Sequence, residues 1–208
     1  HMTKSIYDQL NASGTIAKQR FVETFSGDAL DTDRWHTGNS TGGTVTMADE
    51  VDGGIKIDTG GTQVRTEINF NNIRNFDSQA SGCIWVAKTG QTTNTELLFG
   101  LADNNATASG DVAFVEQHTS NSSNWRLNES FSQWVDTSLT IDTNFHVFKL
   151  LLSSSNVTLS IDGILSGTGF ATSSAGVNAD KLQPELHLHD LSATTNTAQV
   201  RYCEAFNT

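Results

Sequence analysis

From Phe21 onward the sequence alternates apolar and polar residues with a period of two, and no segment with the period of a helix follows residue 20. The stretch VRTEINF shows the pattern most clearly. Its apolar side carries Val64, Thr66, Ile68 and Phe70, and its polar side carries Arg65, Glu67 and Asn69. Such a strand has one face for a core and one face for solvent or a ligand.

Segments of this kind recur along the chain and are separated by turn residues such as Gly42-Gly43, Asp103-Asn104-Asn105 and Asp162-Gly163. The predicted strands are 20–25, 44–48, 54–58, 63–70, 82–88, 95–102, 111–118, 124–128, 146–152, 156–161, 185–190 and 198–206. The stretch 166–180, rich in Ser, Gly and Ala, is predicted to be a loop beside a sheet face. About a dozen strands with short polar turns predict an all-β, two-sheet antiparallel jelly-roll sandwich.

The first residues differ from the rest. Residues 1–2 are interpreted as a tag remnant, and residues 1–19 together as an N-terminal arm or short helix that precedes a sandwich domain over 20–208. The arm offers a route to a homo-oligomer. No apolar stretch in it is long enough for a signal peptide. The sequence therefore predicts synthesis in the cytoplasm, with an extracellular location as the alternative if a signal peptide was removed in cloning.

Charge limits the partners. The formal net charge is -11, which repels nucleic acid and anionic membranes and leaves neutral glycans or an acidic polymer held at a local Arg. The two cysteines, Cys83 and Cys203, fall in predicted strands, and both a disulfide and a pair of buried thiols remain open.

Three segments resemble the concanavalin A-like, laminin-G-like jelly-roll superfamily. They are FVETFSGDALDTDRW at the first strand, FHVFKLLLSSSNVTLSIDGIL over 145–165, and the closing AQVRYCEAFNT. The resemblance implies the two-sheet fold, but the superfamily includes lectins, carbohydrate-binding modules, glycosidases and lyases. A single jelly roll after a short arm also resembles tail or capsid-surface proteins of marine bacteriophages, which would place the protein on a virion.

One motif resembles jelly-roll alginate lyases, which carry R-[S/T]-E-[L/V]-R on one strand. Residues 65–69 match its first four positions and have Asn69 at the fifth. A lyase of this type would use Arg65, Glu67 and His118. The lyase motif near the C-terminus has a catalytic Tyr, and Phe206 stands in its place.

Glycosidases need two carboxyl groups roughly 5 to 9 Å apart. The laminarinase-like branch of the superfamily carries E-x-D-x-x-E or E-x-D-x-E on one strand, and the chain has no such run. Glu67, Glu96 and Glu116 on neighbouring strands are the alternative source of a pair.

Other side chains extend the predicted ligand site. Strand alternation places His187 and His189 on one face, where they suit sugar hydroxyls or, with Asp190 or His118, zinc. Trp85 is predicted on the non-core face because it alternates with Ile84 and Val86, and Trp125 is predicted at the rim of the site, whereas Trp35 is predicted in the core. The full predicted ligand set is Arg65, Glu67, Asn69, Trp85, Glu116, His118, Trp125, Arg126, His187 and His189.

Calcium is the one ion that the resemblance suggests, because many members of the superfamily hold a structural ion at the first turn. Asp28, Asp31 and Asp33 cluster there and offer hard oxygen ligands. No other cofactor is predicted.

The sequence favours a glycan-binding, lectin-like domain. The alternatives are a polysaccharide lyase or glycosidase acting on an anionic polysaccharide such as alginate, and a purely structural or oligomerising module. The sequence favours binding over catalysis, because the catalytic signatures are incomplete.

Overall fold

The structure is a computed structural model that describes residues 19–39, 42–48, 53–61, 64–103, 112–129, 133–169, 181–192 and 195–208. Within these ranges every helix or strand assignment is a β-strand, and all the strand pairs are antiparallel. Residues 1–18 of the predicted N-terminal arm lie outside the described residues. No helix long and apolar enough to cross a membrane occurs in the described part of the chain.

The strands form two sheets of eight strands each, which confirms the predicted two-sheet jelly-roll sandwich. The back sheet has the order β14-β13-β12-β7-β16-β4-β3, with β1 also paired to β16. Its strands are β1 (Arg20–Glu23), β3 (Thr44–Met47), β4 (Ile55–Asp58), β7 (Ala80–Thr89), β12 (His146–Ser153), β13 (Val157–Ile161), β14 (Ile164–Thr168) and β16 (Thr197–Asn207).

The front sheet has the order β11-β10-β9-β8-β15-β5-β2, with β6 also paired to β15. Its strands are β2 (His36–Asn39), β5 (Arg65–Asn69), β6 (Phe76–Asp77), β8 (Thr95–Ala102), β9 (Val112–His118), β10 (Asn124–Glu129), β11 (Gln133–Thr140) and β15 (Lys181–Asp190). The last two strands of the chain, β15 and β16, are therefore interior strands, one in each sheet.

A continuous aromatic core fills the space between the sheets. Trp85 contacts both Trp35 and Phe99, with ring centroids 6.5 and 5.9 Å apart, and Phe148 lies 4.9 Å from Phe99 and 4.8 Å from Trp125. The tilted and edge-to-face geometries are those that aromatic quadrupoles favour. The prediction that Trp35 is a core residue is confirmed, because it is 1% exposed.

The predictions for Trp85 and Trp125 are wrong. Both are fully buried, at 0% exposure, and both belong to the core cluster. Ile84 and Val86 instead lie on the outer face of the back sheet, where they are partly exposed. Alternation correctly places Trp85 on the opposite face from Ile84 and Val86. The core face of β7, however, is the one that carries Trp85 together with the small residues Cys83 and Ala87.

Four strands are absent from the predicted set: β2, β6, β11 and β14. Three of them, β2, β11 and β14, are terminal strands of a sheet, and β6 has only two residues. An edge strand needs less apolar surface than an interior one, so its sequence pattern is weaker. β14 occupies the start of the stretch predicted to be a loop, and residues 170–180 of that stretch lie outside the described residues.

β15 begins at Lys181, four residues before the predicted start, and includes Pro184. Proline lacks the N–H that an interior strand normally donates. Here β15 pairs with β6 up to Leu182 and with β5 only from Glu185, so Pro184 occupies the junction between the two partners. Its carbonyl still accepts a hydrogen bond from the N–H of Phe70, at 3.1 Å.

Cys83 and Cys203 are buried free thiols, so the disulfide alternative is not formed. They lie on neighbouring strands, where Cys203 is opposite Trp85 and Cys83 is opposite Ala205. Burial raises the pKa of the Cys83 thiol to about 12, and it raises that of Cys203 as well. Both side chains therefore act as small apolar residues of the core.

His146, at the start of β12, lies between two carboxylates. Its Nδ1 is 2.6 Å from Asp162 and its Nε2 is 3.0 Å from Asp142. Burial would lower the pKa of His146, but the hydrogen bonds to Asp162 and Asp142 outweigh burial and raise it. Burial would raise the pKa of both aspartates, but hydrogen bonds from backbone N–H groups and from His146 hold each pKa below its ordinary value.

We expect this cluster to stabilise the fold most between about pH 4 and pH 6.5, the ordinary pKa values of Asp and His. A raised histidine pKa stabilises the folded state below pH 6.5, and this contribution is lost as the pH rises through the folded value. A lowered aspartate pKa stabilises the folded state above pH 4, and this contribution is lost as the pH falls through the folded value. Thermal unfolding of the wild type and His146→Gln, measured from pH 3 to pH 9, should give the largest difference near pH 5. A pH-independent difference would contradict the assignment, and His36→Gln, at the exposed start of β2, is the matched control.

Candidate functional site

The outer side of the front sheet carries the eight polar residues that the sequence predicted for the ligand site. On each strand these residues alternate with core residues such as Ile68, Phe99 and Leu186. This surface, called the front face below, consists of Arg65, Glu67, Asn69, Glu96, Leu98, Phe114, Glu116, His118, Arg126, Asn128, Trp134, Asp136, Glu185, His187 and His189.

One cross-strand row of the front face is partly open to solvent. In register across β5, β15, β8 and β9 it contains Arg65, His189, Glu96 and His118. Three strand spacings of about 4.8 Å make the row about 14 Å long. The Glu96 and His189 side chains are 15% and 26% exposed, and Nδ1 of His189 lies 2.9 Å from Oε2 of Glu96. The row is long enough to contact several units of a polymer.

Beside this row lies a compact cluster of Glu67, Glu185 and His187. His187 contacts Glu185 through Nε2, and its Nδ1 lies 3.5 Å from Oε2 of Glu67. Glu185 and His187 are buried, whereas the Glu67 side chain is 12% exposed. Gly38 on β2 makes room for Glu67, because a Cβ atom at position 38 would lie 2.6 Å from its Oε1. Glu67 is the member of the cluster that a ligand can reach.

Among the residues that the structure describes, these three also form a group that could hold a metal ion. One ligand atom from each lies within 4.8 Å of the others. A glutamate–glutamate–histidine set suits a metal such as zinc. The predicted pairing of His187 and His189 as joint ligands differs from this arrangement, because His189 contacts Glu96 instead.

At one edge of the front face, Arg126 contacts both Glu116 and Trp134. Both Nε and Nη2 of Arg126 donate to Oε2 of Glu116, at 3.0 and 2.6 Å. The guanidinium lies 4.9 Å from the ring centre of Trp134, which is 49% exposed. Arg126 and Glu116 are themselves buried. They hold an exposed aromatic surface in place, which is a common element of sugar recognition.

The structure thus brings together eight of the predicted ligand residues on the front face and excludes Trp85 and Trp125. Alternation is also confirmed at Glu116-Gln117-His118, since Gln117 faces inward and donates to the carbonyl of Gln91 at 2.7 Å. Sequence reasoning did not assign roles to Glu185, Gly38 or Asp136. The pattern ELHLHD already placed Glu185 on the side of the two histidines.

The catalytic tyrosine of the lyase motif has no counterpart on the front face in the described residues. Tyr202 lies in β16 of the back sheet, and its hydroxyl donates to Glu204 at 2.5 Å. The other tyrosine, Tyr7, is outside the described residues. The lyase prediction therefore gains no support from the arrangement around Arg65, Glu67 and His118.

The first turn does not gather its acidic residues into a three-carboxylate site in the described part of the chain. Asp31 instead accepts a hydrogen bond from the N–H of Asp33 at 3.1 Å and pairs with Arg34 at 3.2 Å. Asp28 is an exposed turn residue. These contacts are those of a capped turn, and the calcium prediction for Asp28, Asp31 and Asp33 remains a prediction.

Comparison with known proteins relates this fold to glucan-active jelly rolls. The structure is similar to the glycoside hydrolase family 16 endo-glucanase of Bacteroides ovatus, with a TM-score of 0.65 and 13% identity over 88% of this chain and 98% of that chain. It is similar to LamA of Zobellia galactanivorans, which was solved with laminaritriose and laminaritetraose, with a TM-score of 0.66 and 13% identity over 90% of this chain and 98% of that chain.

It is also similar to a pseudo β-1,3-glucanase of Mycobacterium tuberculosis, with a TM-score of 0.64 and 12% identity over 90% of this chain and 98% of that chain. At these identities the likeness establishes the fold: a concanavalin A-like jelly roll. No family model matches the sequence, and no curated protein does.

Proposed function

We propose that the protein is a carbohydrate-active jelly roll that hydrolyses a β-linked glucan on its front face. The observation that carries the proposal is a pair of solvent-accessible carboxylates, Glu67 and Glu96, on either side of β15. Each contacts a histidine of that strand, His187 and His189 respectively. The glucan-active proteins of the same fold support the substrate class.

Exposure to solvent decides which carboxylates we assign to catalysis. Glu67 and Glu185 are close enough for a pair, but Glu185 is fully buried and cannot contact a sugar. Glu116 is buried and bonded to Arg126. Glu67 and Glu96 remain as the glutamates on the front face that a substrate can reach, and Arg65 and His118 flank them as groups that bind hydroxyls.

The reaction assigns one carboxyl group to protonate the glycosidic oxygen and the other to remove a proton from the attacking water. Two strand spacings and a register offset of two residues place the Cα atoms of Glu67 and Glu96 about 12 Å apart. The stereochemical outcome depends on the separation of the carboxyl groups themselves, which is about 5 Å in retaining enzymes and roughly 6.5–9.5 Å in inverting enzymes.

A second candidate is glycan binding without cleavage. The missing E-x-D-x-x-E run favours it, because laminarinase-like enzymes carry both carboxylates on one strand. In this case the row of Arg65, His189, Glu96 and His118 would contact a glycan chain, and Trp134 would stack against one of its rings.

The test is a reducing-end assay with laminarin and mixed-linkage β-glucan, combined with absorbance at 235 nm on alginate. We expect new reducing ends from at least one glucan and no change in absorbance. Rising absorbance would overturn the hydrolase in favour of elimination. Silence in both assays, with retardation of the protein in glucan-containing native gels, would support the second candidate. Silence without retardation would contradict both.

A further inference from the structure

His187 on β15 uses one ring nitrogen in a contact and presents the other to the front face. Its Nε2 contacts Oε1 of Glu185, and the two side chains are 1% and 0% exposed. An ionised carboxylate only accepts hydrogen bonds, so this contact places the imidazole proton on Nε2. Nδ1 then presents a lone pair, and it has no hydrogen-bond partner in the part of the chain that the structure describes. A buried polar atom of this kind is costly unless something binds to it.

Glu67 on β5 faces the same nitrogen. Its Oε2 lies 3.5 Å from Nδ1 of His187, which is beyond the roughly 2.7–3.2 Å of an N–H···O hydrogen bond. Two acceptor atoms therefore lie on either side of one gap. Bonds from zinc to nitrogen and oxygen are about 2.0–2.1 Å long, so two ligands of one tetrahedral ion lie about 3.3–3.4 Å apart. The distance between Oε2 and Nδ1 is close to the distance between two such ligands.

The surroundings of this gap also suit an ion. The Glu67 side chain is 12% exposed, which gives an ion a path from solvent to the gap. Glu185 bonds the far nitrogen of His187. Metal-binding histidines commonly have a carboxylate in this position, which orients the ring and fixes its tautomer. One potential ligand atom from each of the three residues lies within 4.8 Å of the others.

We propose that a zinc ion binds between Oε2 of Glu67 and Nδ1 of His187, and that Glu185 positions the imidazole. A nitrogen ligand beside a carboxylate suits zinc, whereas calcium and magnesium prefer oxygen ligands alone. Water completes the coordination on the open side. The consequence for activity rests on the proposed function: Glu67 cannot transfer a proton while its carboxylate is bound to the ion, so zinc inhibits hydrolysis.

Calorimetric titration with zinc chloride tests the site, in protein without a histidine tag that has been treated with EDTA and then dialysed. We expect saturable binding of zinc and none of calcium or magnesium. Glu185→Gln should raise the zinc Kd by about 10- to 100-fold, the usual effect of changing a partner of a ligand, and Glu67→Gln and His187→Gln should raise it at least as much. The matched control is Glu96→Gln, because Glu96 forms the other glutamate–histidine pair, 2.9 Å from Nδ1 of His189. It should change the Kd less than twofold.

Absence of saturable zinc binding would overturn the proposal, and so would equal binding of calcium or an unchanged Kd in Glu67→Gln. A loss of affinity in Glu96→Gln equal to that in Glu67→Gln would also overturn it. An unchanged Kd in Glu185→Gln would overturn the positioning role. Unfolding temperatures are measured for every variant, and Glu67→Gln, at a partly exposed position, decides the outcome if His187→Gln does not fold.

Inhibition is measured separately, with the glucan that the wild type cleaves. Zinc should inhibit half of the activity at a concentration near its Kd. Cleavage at the full rate with zinc saturated would overturn the occupation of Glu67 by the ion. Absent cleavage by the metal-free wild type is instead a failure of the hydrolase proposal, and it leaves the calorimetric result interpretable.

Discussion

Replacing Glu67 or Glu96 with glutamine is expected to lower the rate of glucan hydrolysis by about 10²- to 10⁴-fold, the contribution typical of a general acid or base. Glutamine keeps the size and hydrogen-bonding capacity of the side chain but cannot transfer a proton. The measurement is kcat on the glucan that the wild type cleaves, together with the Kd for an oligosaccharide of it. We expect kcat to fall and the Kd to change little.

The matched control is Asp136→Asn on β11, an exposed carboxylate of the same face. It should retain kcat within a few-fold. Aryl glycosides with good leaving groups then separate the two roles, because they do not need protonation and so restore the rate of the variant that lost the acid. Full activity in both Glu67→Gln and Glu96→Gln would remove these residues from the chemistry.

Removing the positive charge of Arg126 is expected to cause the largest loss of stability. In Arg126→Met the carboxylate of Glu116 stays buried without the guanidinium that now donates to it at 2.6 and 3.0 Å. Breaking one partner of a buried pair costs about 3–5 kcal/mol. In a chain of this size that loss lowers the Tm by about 6–20 °C, at about 2–4 °C per kcal/mol. Denaturant unfolding and calorimetry measure it directly.

The double variant Arg126→Met/Glu116→Leu should recover most of the loss, since an apolar replacement of a buried pair is often neutral. The control is Lys181→Met, which breaks a solvent-exposed ion pair to Asp77 at 3.5 Å. Its cost should stay below about 1 kcal/mol. Similar losses in Arg126→Met and Lys181→Met would show that the buried pair does not stabilise the fold in this way.

The period-two pattern was sufficient to predict the fold class and most interior strands, because each strand must separate a core side from an outer side. It could not decide which side of β7 faces the core. Ile84 and Val86 are as apolar as many core residues, yet they lie on the outer face of the back sheet. Trp85 fits inside because Cys83 and Ala87 on the same side leave volume for an indole ring. That choice depends on residues of the opposite sheet.

For the candidate site, too, the sequence predicted local relations between residues but not distant ones. Alternation correctly grouped Arg65 with Glu67 and His187 with His189, because these relations are local. It could not predict that Glu67 is opposite His187, because the register between β5 and β15 joins residues more than a hundred positions apart. Nor could it distinguish buried Glu185 from accessible Glu67, since exposure depends on what surrounds the sheet.

The positions of β15 and β16 have a consequence for how the protein is made. β16 is bonded to β7, β4 and β1, and β15 to β8, β5 and β6, so each sheet lacks an interior strand until β15 and β16 have been translated. A nascent chain synthesised at about 5–20 residues per second exposes unpaired strand edges throughout that time. Folding is thus dominated by distant pairings, and a ribosome that stops before β15 releases two incomplete sheets instead of a smaller stable protein.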